Sequence, residues 1–210
     1  MNAGMSARTS EDIDGGSAAA GEVVVLLDED GRPIGTEPKA TVHHETTPLH
    51  LAFSCYLFDR DGRLLLTQRA LDKPTWPGAW TNSVCGHPAP GEPVEDAVRR
   101  RVRAEVGTEA EDVRLLLPAF RYRAVMPNGV VENEMCPVLV ATTDGSLDPD
   151  PSEVADAVWV DWARFRAEVL DGSRDVSPWC VEQVQQLPER PLEAPARATS
   201  ELPPALRETG

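Results

Sequence analysis

Residues 86–107 read GHPAPGEPVEDAVRRRVRAEVG, a loop that runs into a helix. Gly91 and Pro93 stand where a helix begins, and Gly107 stands where one ends, as proline and glycine commonly do. Between them the apolar residues keep the three- and four-residue spacing of a single helical face. Those residues are Val94, Ala97, Val98, Val102 and Val106. The stretch therefore predicts an amphipathic helix that packs on a core.

Strand patterns lie on both sides of this helix. Residues 23–27 form a β-branched run, and residues 51–58 form an apolar stretch that an Asp-Gly turn joins to residues 64–67 as a hairpin. The other predicted elements are strands over residues 130–139 and 157–160, and helices over residues 162–170 and from Pro178, with Ser177 as N-cap. This order predicts an α+β fold, a mixed β-sheet with packed helices in a single domain.

The composition fits a folded core between two loose ends. The chain has 210 residues, of which 41% are hydrophobic, enough to bury the core of one domain. Residues 1–21 are rich in Gly, Ala, Ser and Asp, and residues 188–210 are dense in proline and charge. We expect both segments to be disordered. The folded domain is then expected to span residues 22–187.

The net charge and the cysteines indicate which binding partners and which cellular location to expect for the protein. The net charge of −15 repels phosphate backbones, so no nucleic-acid partner is expected. No stretch approaches the roughly 18 apolar residues of a membrane span, and the first residues lack an apolar signal region, so no membrane partner is expected. Four scattered cysteines without a CxxC pair predict free thiols and a cytoplasmic location. They are Cys55, Cys85, Cys136 and Cys180.

Histidines and glutamates supply a candidate metal site. Of the four histidines, His50 opens the strand at residues 51–54, and His87 lies in a stretch that carries no other charged residue, where imidazole usually has a specific partner. Glu132 and Glu134 share one face of a predicted strand. That face is either solvated or turned inward, and two inward carboxylates need a cation or a shared proton. A set of imidazoles and carboxylates suits zinc, manganese or iron.

The loop and helix that begin at Gly86 resemble the Nudix box, in which helix carboxylates hold magnesium on a diphosphate. The resemblance is partial. Arg101 and Ala104 stand where Nudix hydrolases carry glutamates, which leaves Glu105. Since several carboxylates are normally needed to activate a hydrolytic water, hydrolysis is expected to be disabled. A second interpretation of Glu105 is an i,i+4 ion pair with Arg101 on an exposed helix face.

Five further segments resemble type 1 isopentenyl-diphosphate isomerases, a family within the Nudix superfamily. They are LHLAFS at 49–54, WPGAWTNSVCGHP at 76–88, FRYR at 120–123, ENE at 132–134 and SPW at 177–179. The resemblance covers the predicted domain in the right order. It implies interconversion of isopentenyl and dimethylallyl diphosphate by a 1,3-allylic proton transfer, in the supply of isoprenoid precursors.

The resemblance also implies the roles of individual residues. Glu134 would protonate the double bond, Cys85 would handle the other proton, and Tyr122 would assist. Trp179 would face the carbocation intermediate with its indole ring, the best aromatic partner for a cation. Bonds to the diphosphate would come from Lys39, Arg69, Lys73 and Arg101.

Two metal ions are implied by the same resemblance. The first, Mn²⁺ or Zn²⁺, would be held by His43, His50, His87, Glu132 and Glu134. The second, Mg²⁺, would be held by Glu105, the backbone carbonyl of Cys85 and the diphosphate. The choice of His43 over His44 comes from the resemblance alone. The expected partner is a small diphosphate substrate, and the protein is expected to be a monomer or a weak homodimer.

Two other functions remain open from the sequence. A Nudix diphosphatase would release phosphate, but it would need the carboxylates that Arg101 and Ala104 replace. A zinc-stabilised interaction module would use the histidines and glutamates only to hold its fold. Five protein ligands that include two carboxylates and no thiolate are atypical of structural zinc.

Overall fold

Two β-sheets form the framework of the computed structural model, which describes residues 21–207. The expected disorder of residues 1–20 lies outside the described residues. The strands are β1 Val23–Leu27, β2 Pro33–Pro38, β3 His50–Leu51, β4 Phe53–Phe58, β5 Arg63–Arg69, β6 Trp80–Thr81, β7 Val84–Gly86, β8 Glu111–Leu117, β9 Arg121–Val125, β10 Val131–Met135, β11 Val138–Thr142 and β12 Val154–Asp161. The helices are α1 Lys39–Val42, α2 Val94–Val106, α3 Trp162–Leu170 and α4 Pro178–Gln186.

The two sheets differ in the number of strands. The smaller sheet has five strands in the order β2-β1-β3-β10-β9. The larger sheet has seven, in the order β12-β5-β4-β11-β8 with β6 beside β5 and β7 beside β4. The mixed pairing and the packed helices confirm the predicted α+β class.

Two neighbouring parallel segments of the chain each pass from the smaller sheet into the larger one. The sequence predicts a single strand over residues 51–58 and another over residues 130–139, and both predictions are wrong in the same way. Each segment is two strands, β3 and β4 or β10 and β11, broken at Ala52 and Pro137. β3 pairs with β10 in the smaller sheet and β4 pairs with β11 in the larger one. Pro137 lacks an N–H group and suits such a break.

Helix α2 has the bounds and the buried face that its spacing predicts. Its buried residues include the five valine and alanine positions of the predicted stripe, and they pack against β4 and β11 of the larger sheet through Phe53, Leu57 and Leu139. The helix ends at Gly107, which has a left-handed φ of 67°. Helix α3 has the predicted bounds, and α4 begins at Pro178 as predicted. Ser177 precedes α4 as expected, but its hydroxyl contacts Thr81 at 2.8 Å and does not cap the helix.

The C-terminal segment is ordered as far as residue 207, so the expected disorder of residues 188–210 is wrong for its described part. Arg114 of β8 donates to the carbonyl oxygens of Leu192 and Ala194, at 2.8 and 3.0 Å. Leu202 is only 2% exposed and joins the core under α2. The few apolar residues that pack on the core do not stand out in a segment rich in proline and charged residues.

The described helices are short relative to a lipid bilayer. None of those within residues 21–207 has the length and hydrophobicity needed to cross a membrane.

Candidate active site and metal centre

Residues of both sheets border one cavity of about 850 Å³. Glu132 and Glu134 come from β10 of the smaller sheet, whereas Arg69 of β5 and Cys85 of β7 come from the larger one. All the site residues named from the sequence line the cavity except His50, which lies fully buried beside Glu134. The structure therefore brings the predicted catalytic and binding residues into one place.

Four of the five predicted ligands of the first metal form a compact group. One ligand atom from each of His43, His50, His87 and Glu134 lies within 4.8 Å of the others. The Nε2 atoms of His50 and His87 are each 3.4 Å from Oε1 of Glu134. We call these four residues the His/Glu centre.

Strand register explains much of this proximity. His50 is the direct partner of Glu134 across the parallel β3–β10 pair, and Tyr122 is its partner across the antiparallel β9–β10 pair. The three side chains therefore form a row across three strands. His87 follows β7, and His43 follows the short helix α1.

The imidazole nitrogens of the centre fit a divalent cation. Within the described part of the chain, Nε2 of His43, Nε2 of His50 and both ring nitrogens of His87 are buried without a hydrogen-bond partner. Such unpaired buried atoms are costly and rare. Nδ1 of His50 donates to the Pro48 carbonyl at 3.0 Å, since a carbonyl oxygen only accepts, so Nε2 carries the free lone pair. Nitrogen and carboxylate donors of this kind suit zinc or manganese.

Glu132, the fifth predicted ligand, lines the same cavity but lies outside this compact group of four. Its Oε2 lies 3.0 Å from the Tyr122 hydroxyl, which also lies 2.9 Å from Oε2 of Glu134. Burial and the charge of Glu134 raise the pKa of Glu132. Burial acts on Glu134 in the same sense, but His50 and His87 outweigh it and lower the pKa of Glu134. The two carboxylates thus share a tyrosine and differ in their affinity for a proton.

Cys85 is a partly exposed thiol on the cavity wall. Burial within the site raises its pKa to about 12, so it is protonated at neutral pH. All four cysteines are free, as predicted, and the other three are fully buried.

Carboxylates already neutralise three of the four predicted diphosphate-binding cations. Lys39 lies 2.9 Å from Glu22, and Lys73 is paired with Glu153. The fourth cation, Arg69, instead donates to the Thr75 carbonyl at 2.9 Å.

Arg101 is the most heavily paired of these cations. It lies 2.5 Å from Glu105 and 3.3 Å from Glu153. The i,i+4 pair with Glu105 therefore exists, but the expected exposed face is wrong, because Glu105 is only 8% exposed. Sequence reasoning missed Glu153, which no motif or spacing distinguishes from the other acidic residues.

Trp179 is held rigidly against the cavity. The ring is 2% exposed, and its Nε1 donates to Oδ1 of Asn82 at 3.1 Å. Trp76 meets it edge-on with ring centroids 5.8 Å apart, and Tyr122 lies 5.7 Å away. The indole lines the cavity, and the guanidinium carbon of Arg69 lies over the ring at 5.9 Å from its centroid.

Comparisons with known proteins first define the class. A family model described as NUDIX domain matches residues 48–180. A solved structure of a protein from Deinococcus radiodurans superposes with a TM-score of 0.59 at 20% identity, over 78% of this chain and 98% of that one. A MutT Nudix hydrolase from Burkholderia pseudomallei gives 0.51 at 22% identity, over 67% and 98%. Identities this low show the fold alone, which is that of a Nudix domain.

Sequence relatives then define the family within that class. The isopentenyl-diphosphate Delta-isomerase of Saccharopolyspora erythraea is 57% identical over 88% of this chain and 96% of its own length. The enzyme of the same name from Mycolicibacterium vanbaalenii is 61% identical over 79% and 91%. This chain belongs to the isopentenyl-diphosphate Delta-isomerase family, which confirms the resemblance read from its motifs.

Proposed function

We propose that this protein interconverts isopentenyl diphosphate and dimethylallyl diphosphate by a 1,3-allylic proton transfer. Membership of the family supports this activity. The observation that carries it is the position of Cys85 and Glu134, which line one cavity from strands of different sheets. Two such groups can serve as acid and base on the two sides of a flat five-carbon skeleton.

The reaction requires two proton transfers at different carbon atoms. Protonation of the terminal methylene by Glu134 gives a tertiary carbocation, and Cys85 then removes a proton from C2 to form the new double bond. In the reverse direction the two residues exchange roles. The hydroxyl of Tyr122 lies 2.9 Å from Glu134, where it can assist proton delivery.

Two pKa shifts indicate where the proton resides at one end of this cycle. The raised pKa of Cys85 keeps its proton on sulfur, and the lowered pKa of Glu134 keeps it a carboxylate. This is the state that follows a forward turnover, because the thiol has gained the proton that the carboxyl group has given up. Each new forward cycle must therefore remove the proton from the sulfur of Cys85, so that it can act as a base, and return a proton to Glu134.

We propose Mn²⁺ or Zn²⁺ for the His/Glu centre, on the strength of its unpaired imidazole nitrogens. The ion when bound supplies a positive charge that sets the protonation of Glu134. We propose that Glu105 and the backbone carbonyl of Cys85 hold Mg²⁺ together with the diphosphate. Magnesium needs few protein ligands when substrate oxygens complete its shell.

The cations of the cavity bind the diphosphate in this proposal. Lys39, Lys73 and Arg101 exchange their carboxylate partners for phosphate oxygens, and Arg69 completes the set. The indole of Trp179 stabilises the carbocation, a contribution of about 2 kcal/mol or more in a dehydrated site. A dry cavity also protects the cation from capture by water.

The cellular setting belongs to the same proposal. Free thiols at all four cysteines support a cytoplasmic location. We propose a monomer or a weak homodimer that acts on a small diphosphate.

The alternative activity, hydrolysis of the diphosphate, is less well supported. Nudix hydrolases activate water with a carboxylate cluster, and Arg101 and Ala104 replace two of its glutamates here. Arg101 also occupies the one carboxylate that remains, Glu105. A single helix carboxylate at this point suits one magnesium ion bound with the diphosphate, whereas the hydrolases use several carboxylates to activate water.

Product analysis tests the proposal against this alternative. Purified protein is incubated with isopentenyl diphosphate and Mg²⁺, and proton NMR and a coupled phosphate assay are run on the same sample. We expect signals of the dimethylallyl isomer and no phosphate above the protein-free control. Release of phosphate without the isomer would establish a diphosphatase and overturn the proposal.

A further inference from the structure

We propose that Asn82 is a positioning residue that holds the Cys85 thiol and the Trp179 indole on a single amide oxygen. This inference rests on the proposed function. Asn82 lies between β6 and β7 and is fully buried. It stands in the TNSVCGHP segment but has no part in the proton transfers described above.

Three donors converge on Oδ1 of Asn82. They are the indole Nε1 of Trp179 at 3.1 Å, the sulfur of Cys85 at 3.3 Å and the hydroxyl of Thr81 at 2.9 Å. The thiol comes from β7 and the indole from α4, so this oxygen is a direct link between two distant parts of the chain.

The orientation of the amide is fixed by its other edge. Nδ2 of Asn82 donates to the carbonyl oxygens of Cys55 at 3.1 Å and Val84 at 3.0 Å. Carbonyl oxygens only accept hydrogen bonds, and an indole N–H only donates them. A flipped amide would therefore lose three hydrogen bonds at once, so Oδ1 must face the thiol and the indole.

A second contact holds the sulfur from another side. Oγ of Ser54 lies 3.4 Å from Sγ of Cys85 and accepts a hydrogen bond of 2.9 Å from Gln183. The thiol is thus held between Ser54 and Asn82, but only Asn82 also bonds to Trp179. A carbocation reaction requires the proton-transfer group and the stabilising ring to face the same intermediate, and a misplacement of about 1 Å can cost about 100-fold in rate.

Steady-state kinetics of Asn82→Ala test this role. We expect kcat to fall about 10- to 100-fold, since the thiol and the ring lose their common anchor. The KM for isopentenyl diphosphate should stay within about threefold, because the cations that bind the diphosphate do not contact Asn82. Thr108→Val is the matched control: it removes a buried hydroxyl pair with Thr143 away from the cavity and should leave both constants unchanged.

Two further measurements separate positioning from loss of folding. Iodoacetamide labelling followed by mass spectrometry should show that Cys85 is alkylated faster in Asn82→Ala than in the wild type. The other three cysteines are fully buried and should react equally slowly in both proteins. Trp179→Phe removes the indole N–H but keeps an aromatic face. Combined with Asn82→Ala it should lower kcat by less than the product of the two single effects, because both variants break the same link.

The outcomes distinguish this inference from the proposed function. A wild-type protein without isomerase activity would refute the function. Full activity in the wild type together with an unchanged kcat in Asn82→Ala would refute the positioning role alone. Alkylation of all four cysteines, with kcat and KM both impaired, would show that Asn82 only stabilises the fold and would also overturn the inference.

Discussion

The buried imidazoles determine the chemistry of the site at the scale of single residues. Burial lowers the pKa of His43 to about 4, so this ring is neutral at pH 7 and its nitrogen can bind a metal. Burial lowers the pKa of His87 as well. In His50, burial is outweighed by the attraction of Glu134, which raises the pKa. Three histidines gathered around one carboxylate therefore combine unpaired nitrogen donors with a compensating negative charge.

Replacement of one ligand should weaken metal binding. In His87→Asn we expect the affinity for Zn²⁺ or Mn²⁺, measured by isothermal titration calorimetry, to fall at least about tenfold. Removal of the metal by a chelator should lower the thermal midpoint of the wild type and leave that of the variant almost unchanged. His44→Asn is the matched control, because His44 is exposed and lies outside the His/Glu centre. Equal affinities in the two variants would contradict the assignment.

Replacement of the indole should affect turnover more than binding. In Trp179→Ala we expect kcat to fall by at least about 30-fold, the equivalent of 2 kcal/mol, because the indole proposed to stabilise the carbocation is gone. The affinity for the diphosphate, measured with inorganic diphosphate in the presence of Mg²⁺, should change little. An equal loss in turnover and affinity would mean that the ring only packs.

At the scale of elements, α2 and the residue before β12 together set the charge of the proposed diphosphate site. Arg101 projects from α2 toward Glu105 one turn later and toward Glu153, which directly precedes β12. Lys73 joins the same group through Glu153. Two cations and two carboxylates therefore balance each other before any ligand enters.

Removal of one carboxylate from this group should strengthen diphosphate binding. In Glu153→Gln we expect the KM for isopentenyl diphosphate to fall about two- to fivefold, the range of a partly exposed ion pair, since Lys73 and Arg101 lose a competing partner. Glu109→Gln is the control. It removes an exposed carboxylate partner of Arg103, which lies on α2 as Arg101 does. A higher KM in Glu153→Gln would mean that Glu153 orients the cations and does not compete for them.

The end of α2 should tolerate no side chain at Gly107. A Cβ atom there would lie 2.3 Å from the backbone oxygen of Asp148, and the φ of 67° is itself unfavourable. We expect Gly107→Ala to lower the free energy of unfolding by more than about 2 kcal/mol in urea titrations. Gly91→Ala is the matched comparison, since its φ is 76° but its Cβ would meet nothing within 4 Å. Equal losses in both variants would show that close approach at Gly107 has no cost.

At the scale of the whole molecule, local patterns predict elements well and connections poorly. The bounds of α2 follow from its residue spacing and from Pro93 and Gly107, which directly flank the helix. The sheet change at Ala52 leaves no local signal, because the residues on both sides of it are apolar. The packing of Leu202 is equally hidden, since it depends on a groove made by distant residues.

The candidate site also combines features that local sequence patterns predict with features that only the fold provides. Motifs identified Cys85, Glu134 and the histidines as residue types with a chemical role. Their proximity depends on the β3–β10 register and on a cavity between strands of two sheets, which only the fold provides. The position of Glu132 outside the His/Glu centre and the pairing of Lys73 with Glu153 also depend on the fold.

The central claim is that a thiol and a carboxyl group act together on one five-carbon chain, and isotope exchange tests it most directly. Isopentenyl diphosphate is incubated in deuterated water with Mg²⁺ and wild type, Cys85→Ser or Glu134→Gln, and deuterium is located by NMR. Cys55→Ala, which removes a buried thiol that does not line the cavity, is the control. We expect deuterium at C2 and C4 with wild type and control, and a rate at least about 100-fold lower in both site variants. Wild-type rates of exchange in either site variant would contradict the claim.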